Sequence, residues 1–195
     1  MLFIPIGDTE RSTQRPVVTI SLIAINVAIY LFVQLPLRRM DPAPRDPLAR
    51  EFEKTLQTAV EERLDESFGP SRSDLFAPRS AEDLFVFRWG YRAARPSPSS
   101  AFTYMFLHGD WLHLLGNMLF LWTFGRAVEE KLGRRGYLVA FLATGFFGTA
   151  THTALNFTSG LALIGASGAI SGVHGPLLRL LSQQPYPFPV HHPPT

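Results

Sequence analysis

Uncharged apolar runs alternate with charged polar stretches along this chain, and the alternation predicts helices that cross a membrane. Val17–Leu35 is a run of 19 residues without a charge. As a helix it covers about 30 Å, the thickness of a bilayer's hydrocarbon core. It follows Pro16, ends in QLPLRRM and offers no small-residue cleavage site. It therefore reads as an uncleaved first span rather than a signal peptide. Phe102–Phe124 forms a second run, Tyr137–Phe157 a third, and a fourth starts near Ser167 and reaches about Leu181. No Asp, Glu, Lys or Arg occurs from Tyr137 to Leu178. The expected fold is all-α, a polytopic membrane helix bundle of about four spans. Its expected divisions are a cytoplasmic tail (1–15), a first span (16–36), a long extracytoplasmic loop (37–101), a core holding spans two to four (102–181) and a Pro-rich irregular tail (182–195).

The long loop has internal order. Leu48, Phe52, Leu56, Val60 and Leu64 recur every four residues, which predicts a helix with one apolar stripe and a mixed-charge face. Gly69–Ser80 reads as a polar linker. Leu84–Tyr91 is aromatic and too short to span, and Trp89 and Tyr91 suit a membrane–water interface. Prolines at 176, 185, 187, 189, 193 and 194 preclude a regular helix at the C-terminal end.

Composition agrees with a membrane location. Charged residues make up 17% of the 195 residues, and their placement is uneven: 13 of the 18 Lys and Arg fall in the first 100 positions. A net charge of +2 without a basic recognition motif argues against a nucleic-acid partner. The chain has no cysteine, which excludes disulfides and thiol-ligated zinc. Arg126, Lys131, Arg134 and Arg135 crowd a short connection expected at 127–136, so that connection and the N-terminus are expected in the cytoplasm. The basic residues of the 36–101 loop do not oppose this, because long loops escape the rule. The uncharged 158–166 loop then lies outside, with Ser167 and His113 at similar depth.

Candidate chemistry concentrates in two places. Gly160–Gly172 reads GLALIGASGAISG, a small-residue segment in the least charged part of the chain. Gly168 and Gly172 form a small-xxx-small pair, which lets membrane helices approach closely. Ser167, flanked by small residues at a loop–helix junction, can also expose a nucleophilic hydroxyl beside free backbone N–H groups. On the motif alone, packing is the commoner reading. The second span carries His108, Asp110, His113 and Asn117, polar residues that are costly in lipid and usually functional. Gly109 and Asp110 mark the expected start of its helix. His113 and Asn117, four apart, share a helix face and can both donate hydrogen bonds, which suits an oxyanion hole. A metal site built from His108, His113, His152 and His174 is disfavoured by spacing and by the lack of a ligating carboxylate beyond Asp110. Asn26 and His152 read as structural hydrogen-bonding groups between helices.

These motifs resemble those of the rhomboid intramembrane serine proteases. Met105–Gly125 resembles the second-helix signature H-x4-H-x3-N, Ala127–Gly133 the glutamate-containing loop after it, and Ile164–Gly172 the nucleophile motif G-x-S-G-A. Trp89–Ser97 is similar to the segment leading into the second helix in one bacterial subgroup, and the stretch from Arg15 to Phe32 to the first helix. The resemblance implies Ser167 as nucleophile and His113 and Asn117, with the Ser167 N–H, as oxyanion donors. It implies Gly165 as the point of close approach to the substrate backbone, His108 near a water-accessible mouth, and Glu129 as a structural brace. It implies membrane-protein substrates cut near their transmembrane segments, with no metal or other cofactor, and the lipid bilayer as surroundings. The expected membrane is the cytoplasmic membrane of a bacterium. Oligomeric state is left open by the sequence.

The family uses six helices and a general-base histidine on the sixth, whereas this chain is expected to stop after four. Pro176 and Arg179 interrupt the fourth, as truncation or a frameshift would produce. His174 lies two turns from Ser167, about 10 Å away, and His191 and His192 fall on the cytoplasmic side. The general base is therefore unassigned, and loss of such a base costs on the order of 10⁶ in rate. The expectation is little or no protease activity in the chain as written, or a rhomboid-like protein that binds transmembrane helices without cutting them.

Overall fold

The computed structural model describes residues 15–43, 45–61 and 77–172. Among the described residues the architecture is helical, with one isolated antiparallel bridge between Tyr91 and Leu163. Helix α1 spans Val17–Leu37, with one wider π turn at Tyr30–Gln34. Helix α2 is Pro47–Glu61 and α3 is Ala81–Trp89. Helix α4, Pro98–Thr103, tightens into a 3-10 turn at Tyr104–Phe106. Helix α5 runs from Trp111 to Leu155 and is broken at Gly133. Residues 167–172 begin α6.

The buried stripe of α1 is Thr19, Leu22, Asn26, Tyr30 and Gln34. Steps of four residues drift by about 40° each around an α-helix. The π turn widens the spiral where Tyr30 and Gln34 fall and so keeps both on the inner face. Val17, Ile20, Ile25 and Phe32 point outward and are exposed. Asn26 was expected to bond between helices. Instead its Nδ2 donates to Leu22 O of its own helix at 2.7 Å, and its buried Oδ1 has no partner among the described residues.

Helix α5 starts later than the apolar run suggests. Phe102 is part of α4, and the second membrane helix begins at Trp111, at the Gly109–Asp110 start expected within that run. Asp110 sets that start: its carboxylate accepts the His113 N–H at 2.8 Å and so caps the first turn. The connection expected at 127–136 is not a loop. Ala127–Leu132 are good helix formers and continue the helix, and the chain turns at Gly133 alone, whose φ of 69° suits glycine. The next arm is helical from 134 rather than from Tyr137 and ends at Leu155, not Phe157. The two arms lie against each other, since a Cβ on Gly125 would meet the Tyr137 hydroxyl at 2.6 Å. A straight helix would separate those residues by about 18 Å.

The core gathers where α1, both arms of α5, the 104–107 segment and the start of α6 meet. Tyr30, Tyr104, Met105, Leu121, Phe141 and Ala169 are among its buried members. The outer faces of α5 carry exposed Leu112, Leu115, Leu119, Phe120, Phe147 and Leu155. Among the described residues two helices, Val17–Leu37 and Trp111–Leu155, are long and apolar enough to cross a membrane. Each arm of α5 is roughly 33 Å long at 1.5 Å per residue, enough for one crossing.

Helix α2 lies over the opposite rim. Phe52 packs edge-on to Phe87 of α3 at 5.3 Å, and Glu51 pairs with Arg92 at 2.5 Å and Arg95 at 2.9 Å. Its apolar stripe is therefore used against protein at Phe52, while Leu64 lies outside the described residues. So do the tail 1–14, most of the Gly69–Ser80 linker, residues 173–181 of the fourth span, the Pro-rich tail, and His174, His191 and His192.

Candidate functional site

The first two turns of α5 and the short segment just before them carry the polar residues singled out from the sequence. Helical spacing puts His113 and Asn117 on one face, and Asn117 Nδ2 also donates to His113 O at 3.1 Å. The N–H of Gly109 reaches His113 Nδ1 at 3.4 Å. With Nδ1 as acceptor, the neutral ring carries its proton on Nε2. His108 meets His113 edge-on, ring centroids 5.2 Å apart. His108 was expected near a water-accessible mouth, but its ring is fully buried and neither nitrogen has a partner among the described residues.

The loop before α6 brings the second motif to this face. It is tied down by Tyr91 N–H to Leu163 O at 3.0 Å, the reciprocal bond at 2.7 Å, Ala94 N–H to Ser159 O at 2.9 Å, and Gly165 N–H to Tyr104 O at 2.8 Å. Gly165 then adopts φ 110°, a conformation open to glycine. A Cβ there would lie 2.5 Å from His113 Nε2 and 3.6 Å from Asn117 Nδ2. His113, Asn117 and Gly165 thus converge, and the backbone of Gly165 faces both side-chain donors. Ser167 stands two residues on, exposed, as the first residue of α6. Among the described residues its hydroxyl has no hydrogen bond to a histidine.

The glycines on α6 have another use. A Cβ on Gly148 would lie 3.6 Å from Gly168 Cα, and one on Gly172 would lie 2.6 Å from Thr144 Cβ. Thr144 Oγ1 also donates to Ala169 O at 2.9 Å. Packing and chemistry therefore divide the small-residue segment. Gly168 and Gly172 seat α6 on the second arm of α5, while Gly165 lies at the polar face.

Three residues absent from the sequence reading support this face. Gln34, buried at the π turn, accepts the His108 N–H at 3.0 Å and donates to His108 O at 2.8 Å. Its Nε2 also lies 3.3 Å from Glu82 Oε1. Glu82 in turn holds Arg38, and Arg38 donates to Gly109 O at 2.7 Å. The hydrogen bond to Glu82 pushes the Arg38 guanidinium above its ordinary pKa, so it stays charged. Gln34 was legible as a polar side chain inside an apolar run. The Arg38–Glu82 pair was not, because it joins residues 44 apart.

The brace role implied for Glu129 has a defined geometry. Its carboxylate accepts the N–H groups of Val18 at 2.9 Å and Thr19 at 2.8 Å, and the Thr19 hydroxyl at 2.8 Å. A carboxylate from α5 thus caps the start of α1. Among the described residues, no three His, Asp or Glu side chains are grouped so that they could hold a metal ion.

Comparison with known proteins bears on the same segment. Residues 95–191 match the model of the family described as Rhomboid domain. A curated relative is the Rhomboid-like protein 11, chloroplastic, of Arabidopsis thaliana. It is 38% identical over 77 residues, which cover 36% of this chain and 25% of that protein. The match thus spans about a quarter of the relative's length. No solved structure matches the chain.

Proposed function

We propose that this protein, whose residues 95–191 match the Rhomboid domain family, is an intramembrane serine endopeptidase that cuts other membrane proteins near their transmembrane segments. The observation that carries this reading is the convergence of His113 Nε2 and Asn117 Nδ2 on the backbone at Gly165, just ahead of Ser167. In the proposed reaction Ser167 Oγ attacks the scissile carbonyl carbon and gives its proton to a general base that no described residue supplies. The carbonyl oxygen takes up the electron pair and is stabilised by Nε2–H of His113, Nδ2–H of Asn117 and the backbone N–H of Ser167. The serine proton passes to the leaving amine as the C–N bond breaks, and water then hydrolyses the acyl-enzyme. Gly165 leaves room for the substrate backbone beside these donors. The chemistry needs neither a metal nor an organic cofactor.

The bundle is oriented by its charges. Glu129 ties the start of α1 to the Gly133 turn of α5, the end of the bundle that carries Arg126, Lys131, Arg134 and Arg135. The positive-inside rule puts that end in the cytoplasm and the His113 end outside. The similarity of Trp89–Ser97 to a bacterial subgroup supports the cytoplasmic membrane of a bacterium as its place.

One observation favours a second reading. Removing the base of a serine protease costs on the order of 10⁶ in rate, and no imidazole among the described residues bonds to Ser167. A rhomboid-like protein that holds transmembrane helices without hydrolysis fits that arrangement. A serine-directed fluorophosphonate probe, applied to the protein in detergent, separates the two. Labelling that disappears in Ser167→Ala supports the endopeptidase. Absence of labelling, with a single-span reporter retained uncut on the immobilised protein, supports the binder.

A further inference from the structure

The geometry points to Gln34 as a positioning residue that sets the tautomer of His113 and so makes Nε2 the donor at the proposed oxyanion site. Gln34 acts through one peptide group. Its Nε2 donates to His108 O at 2.8 Å, and the N–H of the same peptide plane, that of Gly109, reaches His113 Nδ1 at 3.4 Å. A hydrogen bond accepted at the carbonyl polarises the amide and strengthens its N–H as a donor. The Gln34 Oε1 accepts the His108 N–H at 3.0 Å, so the side chain clamps His108 from both sides and the peptide cannot rotate freely. Arg38, held by Glu82, fixes the next carbonyl, that of Gly109, at 2.7 Å. The outcome at the far end is directional. An Nδ1 that accepts leaves the proton on Nε2, the atom that faces the Gly165 backbone.

The placement of Gln34 is itself specific. It is fully buried in a membrane-spanning helix, where a polar side chain needs a partner. The π turn at Tyr30–Gln34 delivers it to the inner face, and such turns often sit at functional sites.

The inference rests on the reading of His113 as an oxyanion donor, but its test does not depend on activity. Protein labelled with ¹⁵N-histidine is prepared in nanodiscs at neutral pH, and the His113 ring nitrogens are assigned by their loss in His113→Gln. The expected wild-type spectrum shows neutral His113 with the proton on Nε2. A proton on Nδ1, or an imidazolium, overturns the proposal whether or not Ser167 reacts with any probe. Gln34→Leu is expected to give a mixture of tautomers and to slow fluorophosphonate labelling of Ser167 about tenfold, the effect of one lost hydrogen bond. An unchanged His113 spectrum in folded Gln34→Leu also overturns it. Where that variant does not fold, Gln34→Asn, whose shorter amide withdraws from His108, takes its place with the same expected shift to mixed tautomers, and an unchanged spectrum there overturns the proposal. Failure of wild-type labelling together with an Nε2–H tautomer counts against the endopeptidase and leaves the positioning role standing.

Discussion

Replacing Glu129 by glutamine isolates the cap that joins α5 to α1. Glu129 is 4% exposed and Thr19 is fully buried, so water cannot take over the lost bonds. The carboxylate serves three donors: Oε1 takes Val18 N–H, and Oε2 takes both the N–H and the hydroxyl of Thr19. Glutamine has one acceptor oxygen. Its best arrangement keeps both Thr19 bonds and turns an NH₂ group towards the Val18 N–H. That leaves one charge-assisted bond unmade, about 1.5–3 kcal/mol. It also removes a negative charge from a helix N-terminus, a further ~0.5–1 kcal/mol. The expected destabilisation is roughly 2–4 kcal/mol, the sum of those two contributions. Reversible unfolding in mixed micelles, titrated with dodecyl sulfate and followed by circular dichroism, measures it. Thr19→Val removes the hydroxyl bond alone, and combined with Glu129→Gln it should show a coupling of about 1 kcal/mol. A Glu129→Gln protein within about 0.5 kcal/mol of wild type, the size of an ordinary surface change, would falsify the cap as an energetic feature.

Other substitutions test separate parts of the structure. Gly165→Ala combines an unfavourable φ of 110° with a Cβ 2.5 Å from His113 Nε2. It should destabilise by about 1–3 kcal/mol and slow probe labelling of Ser167 at least tenfold, about the loss of one misplaced donor. Labelling at the wild-type rate would mean that His113 and Gly165 do not meet. Gly148→Leu is expected to cost about 1–3 kcal/mol through overpacking against Tyr104 and Gly168. Gly116→Ala meets nothing within 4 Å and should be neutral or stabilising by up to ~1 kcal/mol in the same unfolding assay. Glu51→Ala breaks the pairs with Arg92 and Arg95 at a partly exposed position. A change below about 1 kcal/mol is expected, and a larger one would show α2 to be anchored by charge rather than by Phe52.

Much of the site was legible from local pattern. His113 and Asn117 follow from helical spacing, and the start of α5 at Asp110 follows from cap chemistry. The apolar run of α1 identified a spanning helix, because hydrocarbon accepts a backbone only when its own groups are bonded internally. Boundaries were less legible. Phe102–Phe106 is apolar enough to extend the second span, yet the break at 107–110 redirects the chain. The basic stretch before Gly133 suggested a loop by its charge, although Lys and Arg are good helix formers and one glycine suffices for the turn.

Hydropathy and spacing alone determined that the chain builds membrane helices and that His113 and Asn117 share a helix face, while the resemblance to rhomboid motifs singled out Ser167 and Gly165. Those properties belong to a residue and its near neighbours, and a periodic pattern records them. Only the tertiary structure decided which glycines pack and which face the donors, that His108 is buried, that Gln34, Arg38 and Glu82 support the site from α1 and α3, and that Glu129 caps the start of α1. Those partners lie 44 to 111 positions away along the chain. No local period records a hydrogen bond between such distant segments, because the donor and the acceptor meet only once the helices have packed.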